Sequence, residues 1–144
     1  NAHHQSWPRR KLEEVLPGLA GSTVAVWGLT YKPGTDTLRR SSSVELCRWL
    51  LEHGAAVRAH DPAVRRLPPE LARAELCATP EEAARGADAL VVMTGWPRFA
   101  ETAMDAILPT MRTPNVVDAA RVLPAATAAL RGIRYFAVGA AGAA

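Results

Sequence analysis

The segment richest in potential chemistry is Lys32-Pro33-Gly34-Thr35-Asp36-Thr37-Leu38-Arg39-Arg40, three cations on a loop that runs into Ser41-Ser42-Ser43. Fixed cations beside a helix N-terminus, with its free backbone N–H groups and the positive end of its dipole, suit a phosphate or diphosphate. A solvated basic loop has the same residue types, and spacing alone leaves the two readings level. Asp61 follows a β-rich run where a dinucleotide site would keep a ribose-binding acid, although Asp61-Pro62 is equally a common turn. Cys47 and Cys77 are the only cysteines and lack the close spacing of a metal or redox pair. No His is placed to activate Cys47, which falls on the apolar face of an expected helix, so both thiols read as reduced and structural. No catalytic residue and no metal site is expected.

The elements that must carry these residues alternate. Thr23 to Trp27 is a short apolar, β-rich run ending in Gly28, the pattern of a strand buried on both faces of a parallel sheet. Ser41 to Ser43 offer N-caps for a helix over Val44 to His53, which Gly54 stops. Further strands are expected at Ala56 to His60, Ala74 to Ala78, Ala89 to Met93, Asn115 to Asp118 and Ile133 to Val138. Helices are expected at Pro80 to Arg85, opened by Thr79, at Phe99 to Leu108 and at Pro124 to Leu130. Strand–helix alternation without hairpin signals means βαβ crossovers, hence an α/β, Rossmann-like, doubly wound parallel sheet in three α/β/α layers. Ligands of such sheets bind outside the carboxyl ends of the strands, near the reversal of strand order. The loops after Trp27, His60, Met93 and Val117 are therefore the places to search.

The segment ahead of Ser22 reads as a lead-in helix from Arg9 to Leu19, with Pro8 at its start and Gly18 and Gly21 closing it. Asn1-Ala2 fits nothing downstream and reads as a tag scar. The division expected is thus 1–21, tag remnant and lead-in helix, then a single domain over 22–144. With 144 residues, 49% apolar and 22% charged, the chain is long enough to bury its own core. No apolar run reaches the length of a membrane span and no leader is evident, so a cytoplasmic, membrane-free protein is expected. The net charge of +3 comes from dispersed Arg and Lys without interleaved aromatics, which argues against nucleic acid. Two acids at strand ends, Asp61 and Asp118, are thin support for a response-regulator-like domain.

A Gly-x-Gly-x-x-Gly turn should follow strand one in a dinucleotide-binding domain. Here Gly28 leads instead into Leu29-Thr30-Tyr31-Lys32-Pro33-Gly34-Thr35-Asp36-Thr37-Leu38-Arg39-Arg40-Ser41. The run Val24 to Ser41 resembles the opening of the C-terminal domain of UDP-glucose/GDP-mannose dehydrogenases. Gly54-Ala55-Ala56-Val57, Asp61-Pro62, Ala87-Asp88-Ala89, Thr94-Gly95-Trp96 and Val117-Asp118 follow in that family's order, so the resemblance spans Ser22 to Gly139.

The resemblance implies a domain that grips the nucleotide of a UDP-sugar within an NAD-dependent enzyme oxidising the sugar C6 hydroxyl to the uronate. It also implies N-terminal and central helical domains as partners, a homo-oligomeric parent, and no activity for this segment by itself. Lys32 matches the lysine that contacts the substrate diphosphate, Tyr31 the aromatic near the base, and Arg39 the arginine that reaches the NAD. Tyr31 read without the resemblance is a ring packed over the sheet end, and Trp96 reads as structural. The family's Asp-Gly-Arg after strand five is replaced by Asp118-Ala119-Ala120, with Arg121 one place late as the substitute substrate contact. Thr37, Arg40 and Gly95 also depart from the usual residues. These departures sustain an alternative, a non-catalytic nucleotide-binding or assembly module on the same fold.

Overall fold

The computed structural model describes residues 2–39, 41–130 and 132–137, and the backbone alone for residues 2–5. Arg40, a cation of the loop above, lies outside the described residues, as do Asn1, Val138 and Gly139. Six strands, β1 (Thr23–Trp27), β2 (Ala56–His60), β3 (Glu75–Leu76), β4 (Ala89–Val92), β5 (Asn115–Asp118) and β6 (Arg134–Ala137), form one parallel sheet in the order β3-β2-β1-β4-β5-β6. The order reverses between β1 and β4, which is the doubly wound topology expected.

Alternation along the strands sorts the core into two layers. Val24, Val26, Ala89, Val91 and Val117 face α1 (Ala2–Val15) and α2 (Ser42–Glu52). Ala25, Trp27, Leu90, Val92 and Val116 face α3 (Pro80–Ala84), α4 (Pro97–Ala100) and α5 (Met104–Ile107). Helix α2 begins as its sequence directs: the Ser41 hydroxyl accepts from the Val44 N–H at 3.2 Å, and Val44, Cys47, Leu50 and Leu51 make its buried stripe. Thr79 caps α3 in the same way, accepting from the Glu82 N–H at 3.0 Å.

Three helices differ from their sequence patterns. Helix α1 starts at Ala2, the residue read as a tag scar, ends at Val15 and contains Pro8 rather than beginning after it. Trp7, Lys11, Leu12, Val15 and Leu16 are buried at helical spacing, so the helical phase must hold through Trp7 even though Pro8 forfeits a backbone bond. Pro17 then disfavours helix at Leu16. The span 99–108 breaks into α4 and α5 because Phe99 and Met104 enter the same core layer. An unbroken helix would turn two residues five apart about 140° away from each other. The Thr102 hydroxyl donates to the Phe99 carbonyl at 2.6 Å at that break. Ala125–Ala129 forms a 3₁₀ turn rather than an α-helix, since this alanine-rich stretch buries only Thr127.

Strand register sets the geometry of the site. Trp27 pairs with both His60 and Val92, and Val92 pairs with Asp118, so β2, β1, β4 and β5 end on one row. Their following loops emerge side by side.

Candidate functional site

The loop after β1 leaves the sheet through a stem whose backbone groups are nearly all taken. Gly28 has φ +94°, and a Cβ there would lie 2.5 Å from the Thr94 Cβ and 2.6 Å from its backbone nitrogen, so only glycine admits this approach of the β1 and β4 loops. The Leu29 N–H donates to Asp61 Oδ2 at 2.7 Å, and the Thr30 N–H and hydroxyl donate to the same oxygen at 3.0 Å each. The Thr94 hydroxyl donates to the Thr30 carbonyl at 2.9 Å, and the Tyr31 N–H to the Thr37 carbonyl at 2.8 Å. At the far end, the Ser41 and Ser43 hydroxyls donate to the Leu29 and Gly28 carbonyls. Both ends of the loop are thereby tied to the same turn of backbone.

The Leu29 and Thr30 N–H groups of the stem are thereby committed inside the protein. That arrangement disposes of the ribose-acid reading of Asp61, whose carboxylate is 2% exposed and satisfied by loop donors, with Trp96 Nε1 at 3.0 Å and the Ala63 N–H at 2.8 Å completing the set. The crevice at the strand-order reversal does not fit a dinucleotide pyrophosphate: its amides are occupied and the β1 and β4 loops are stitched across it.

The loop from Tyr31 to Arg39 stands outside that stitched stem. Tyr31 is 60% exposed, which overturns the reading of a ring packed on the sheet end, and Lys32 and Arg39 are also exposed. A Cβ built on Gly95 of the β4 loop would lie 4.0 Å from Pro33 and 3.9 Å from Ala120, so the β1 and β5 loops approach each other at that glycine. Arg39 sits elsewhere, at a depression it shares with Leu38, Glu45, Pro68 and Glu70 on the β2 side. The β1-loop and β5-loop backbones next to Lys32 and Arg121 thus converge on Gly95, while Arg39 lines a depression with Glu45, Pro68 and Glu70. Lys32, Arg39 and Arg121 make no ion pair among the described residues.

The turn that carries Arg121 is stapled by a second buried acid. Asp118 is fully buried, and it accepts the Val122 N–H at 3.3 Å, the Leu123 N–H at 3.0 Å and the Tyr135 hydroxyl at 3.3 Å. That staple tightens the turn enough to put Arg121 at φ +55°, the one non-glycine positive φ among the described residues. Burial, and then the Asp118 charge and hydrogen bond, push the Tyr135 phenol up to about 12. Sequence reasoning missed Asp61, Asp118, Thr94 and Tyr135 as scaffolding, because their partners are remote along the chain. Trp96, read as structural, proves to be a bridge, donating also to the Thr30 hydroxyl at 3.2 Å. Cys47 and Cys77 are buried, and burial pushes their thiols to about 12 and about 11, which suits inert thiols. Among the described residues no cluster of metal-binding side chains occurs, and no helix is long and apolar enough to cross a membrane.

Known proteins place this arrangement. Residues 25–125 match the UDP-glucose/GDP-mannose dehydrogenase family, UDP binding domain. The UDP-glucose 6-dehydrogenase of Pseudomonas aeruginosa is 43% identical over 96% of this chain, and that of Rhizobium meliloti is 38% identical over 84%. The chain spans only 32% and 28% of their lengths. Among solved structures, a UDP-glucose dehydrogenase from Pyrobaculum islandicum superposes with a TM-score of 0.72 at 32% identity, over 88% of this chain and 28% of its own. An NDP-N-acetyl-D-galactosaminuronic acid dehydrogenase from Methanosarcina mazei reaches a TM-score of 0.79 at 27% identity, over 96% of this chain and 29% of its own. With its match covering the whole row of loops described above, the chain belongs to the UDP-glucose/GDP-mannose dehydrogenase family, as its UDP binding domain.

Proposed function

We propose that this chain holds the nucleotide diphosphate of a UDP-sugar against the loop Tyr31 to Arg39. It does so for an NAD-dependent dehydrogenase that oxidises the sugar C6 hydroxyl to the uronate. The observation that carries the reading is an exposed cationic loop pinned at both ends over the strand-order reversal, with Lys32 uncommitted. Lys32 supplies charge to the diphosphate and Tyr31 a face for the base, while Arg121 approaches from the β5 side. Arg39, on the β2 side, reaches toward NAD. The stitched crevice supports a division in which that NAD rests mainly on an N-terminal domain, with a central helical domain and further copies completing a homo-oligomer. The chain's buried, inert thiols support the view that it lacks the catalytic nucleophile.

A second reading, a non-catalytic nucleotide-binding or assembly module, is favoured by Ala119-Ala120 replacing Gly-Arg and by the small residues Gly95 and Ala120 where the loops meet. Calorimetric titration with UDP, UDP-glucose and GDP separates the two. Binding of UDP compounds over GDP, weakened about tenfold in Lys32→Ala as expected for one lost charge-assisted contact, supports the first. Absence of binding by the folded wild-type chain sinks it.

A further inference from the structure

The buried carboxylate of Asp61 sits where an anion-binding sheet would hold its ligand. Two successive amides (Leu29 and Thr30), one hydroxyl (Thr30) and one indole N–H (Trp96) converge on a single oxygen, Oδ2, at 2.7–3.0 Å. Successive backbone N–H groups aimed at one point form an anion-binding concavity. The other oxygen is taken by Ala63 N–H. The donors come from the β1 loop, the β4 loop and the segment after β2, so one charge ties three loops together. The tie is made at Leu29 and Thr30, and the exposed loop begins at the next residue, Tyr31.

We infer that Asp61 is a positioning residue: its carboxylate is a built-in anion that fixes the stem of the β1 loop and so sets where Tyr31 and Lys32 meet the diphosphate. The inference rests on the nucleotide reading proposed above. The carboxylate accepts on both oxygens, with four donors on Oδ2 and a fifth on Oδ1. In Asp61→Asn the oxygen can still serve the four, with only the amide group opposed to the Ala63 N–H. In Asp61→Ala four donors lose their acceptor and the Trp96 indole keeps only the Thr30 hydroxyl, while the space vacated has the size and charge preference of formate.

The test uses this chain, UDP as the probe, calorimetry, and ¹⁵N NMR of the loop amides and the Trp96 indole. Asp61→Ala is expected to weaken UDP binding about tenfold or more and to lower the heteronuclear NOE from Tyr31 to Asp36. Asp61→Asn stays within about threefold of wild type. Added formate returns the Leu29, Thr30 and Trp96 resonances of Asp61→Ala toward wild type and recovers much of the lost affinity, which a general loss of stability would not show. Should Asp61→Ala fail to fold, Trp96→Phe removes one donor, and it is expected to move the Leu29 and Thr30 amides and cost about threefold in affinity. A folded Asp61→Ala with wild-type affinity and loop order overturns the inference, as does a Trp96→Phe that changes neither amides nor affinity. If wild type binds no UDP, the nucleotide reading fails on its own, and unchanged loop order in Asp61→Ala then rejects the positioning role separately.

Discussion

Arg121 carries two properties that pull in opposite directions. Its guanidinium makes no ion pair among the described residues, and its backbone sits in the left-handed region, which costs a side-chain-bearing residue roughly 1 kcal/mol relative to glycine. Arg121→Gly removes both at once. The expected outcome is a chain as stable as wild type, or more stable by up to about 1 kcal/mol in urea denaturation, that binds UDP more weakly. A weaker binder that is also markedly less stable would instead mean that Arg121 packs, and that the Asp118 staple does not impose the turn. Neither the turn nor its staple is visible in the sequence, where Asp118-Ala119-Ala120-Arg121 shows only a shifted arginine. Lys32 and Tyr31 stand out in the sequence from their motif and are exposed in the structure, whereas Asp61 was legible as a residue at the right place with the wrong task. Its donors, Leu29, Thr30 and Trp96, lie more than thirty positions away, and spacing cannot report a contact of that range.

At the scale of elements, strands were easier to read than helices for a physical reason. Central strands of a parallel sheet are buried on both faces, so β1 and β4 appear as apolar runs whatever surrounds them. A helix is marked only by its buried stripe, and the stripe depends on what it meets. Phe99 and Met104 look compatible with one helix until both must enter the same layer, and Trp7 looks like a residue ahead of the helix until it closes the stripe of α1. The consequence for α1 is measurable. The side chains of Trp7, Leu12 and Val15, with Leu16 just beyond the helix, enter the core layer of Val24, Val26 and Val91. Trp7→Ala is expected to cost about 3 kcal/mol in denaturant unfolding while the sheet topology persists. A cost near zero would show that α1 is dispensable.

At the scale of the whole molecule, the groups with displaced ionisation among the described residues all act in one direction. Tyr135, Cys47 and Cys77 are each harder to deprotonate in the fold, at about 12, about 12 and about 11, against ordinary values of 10 and 9. Above pH 9 the unfolded chain therefore sheds protons that the folded chain keeps, so stability is full below that point and falls as pH rises toward about 12. Urea midpoints measured from pH 8 to 11 should decline, and Tyr135→Phe should flatten the portion above pH 10, at a cost of about 1 kcal/mol at neutral pH for the lost hydrogen bond. A profile unchanged by that substitution would deny Tyr135 its part in holding the β5 loop.

The bridge from Trp96 to Asp61 has an optical consequence. Trp7 and Trp27 are sunk in the two core layers and Trp49 lies on α2, but the Trp96 indole is hydrogen-bonded at the junction of the loops. Its emission is a native reporter of that junction, sensitive to whether the indole N–H still points at a carboxylate. Occupancy of the loop and loss of its anchor should register there as separate spectral changes, read without attaching a dye or altering the chain.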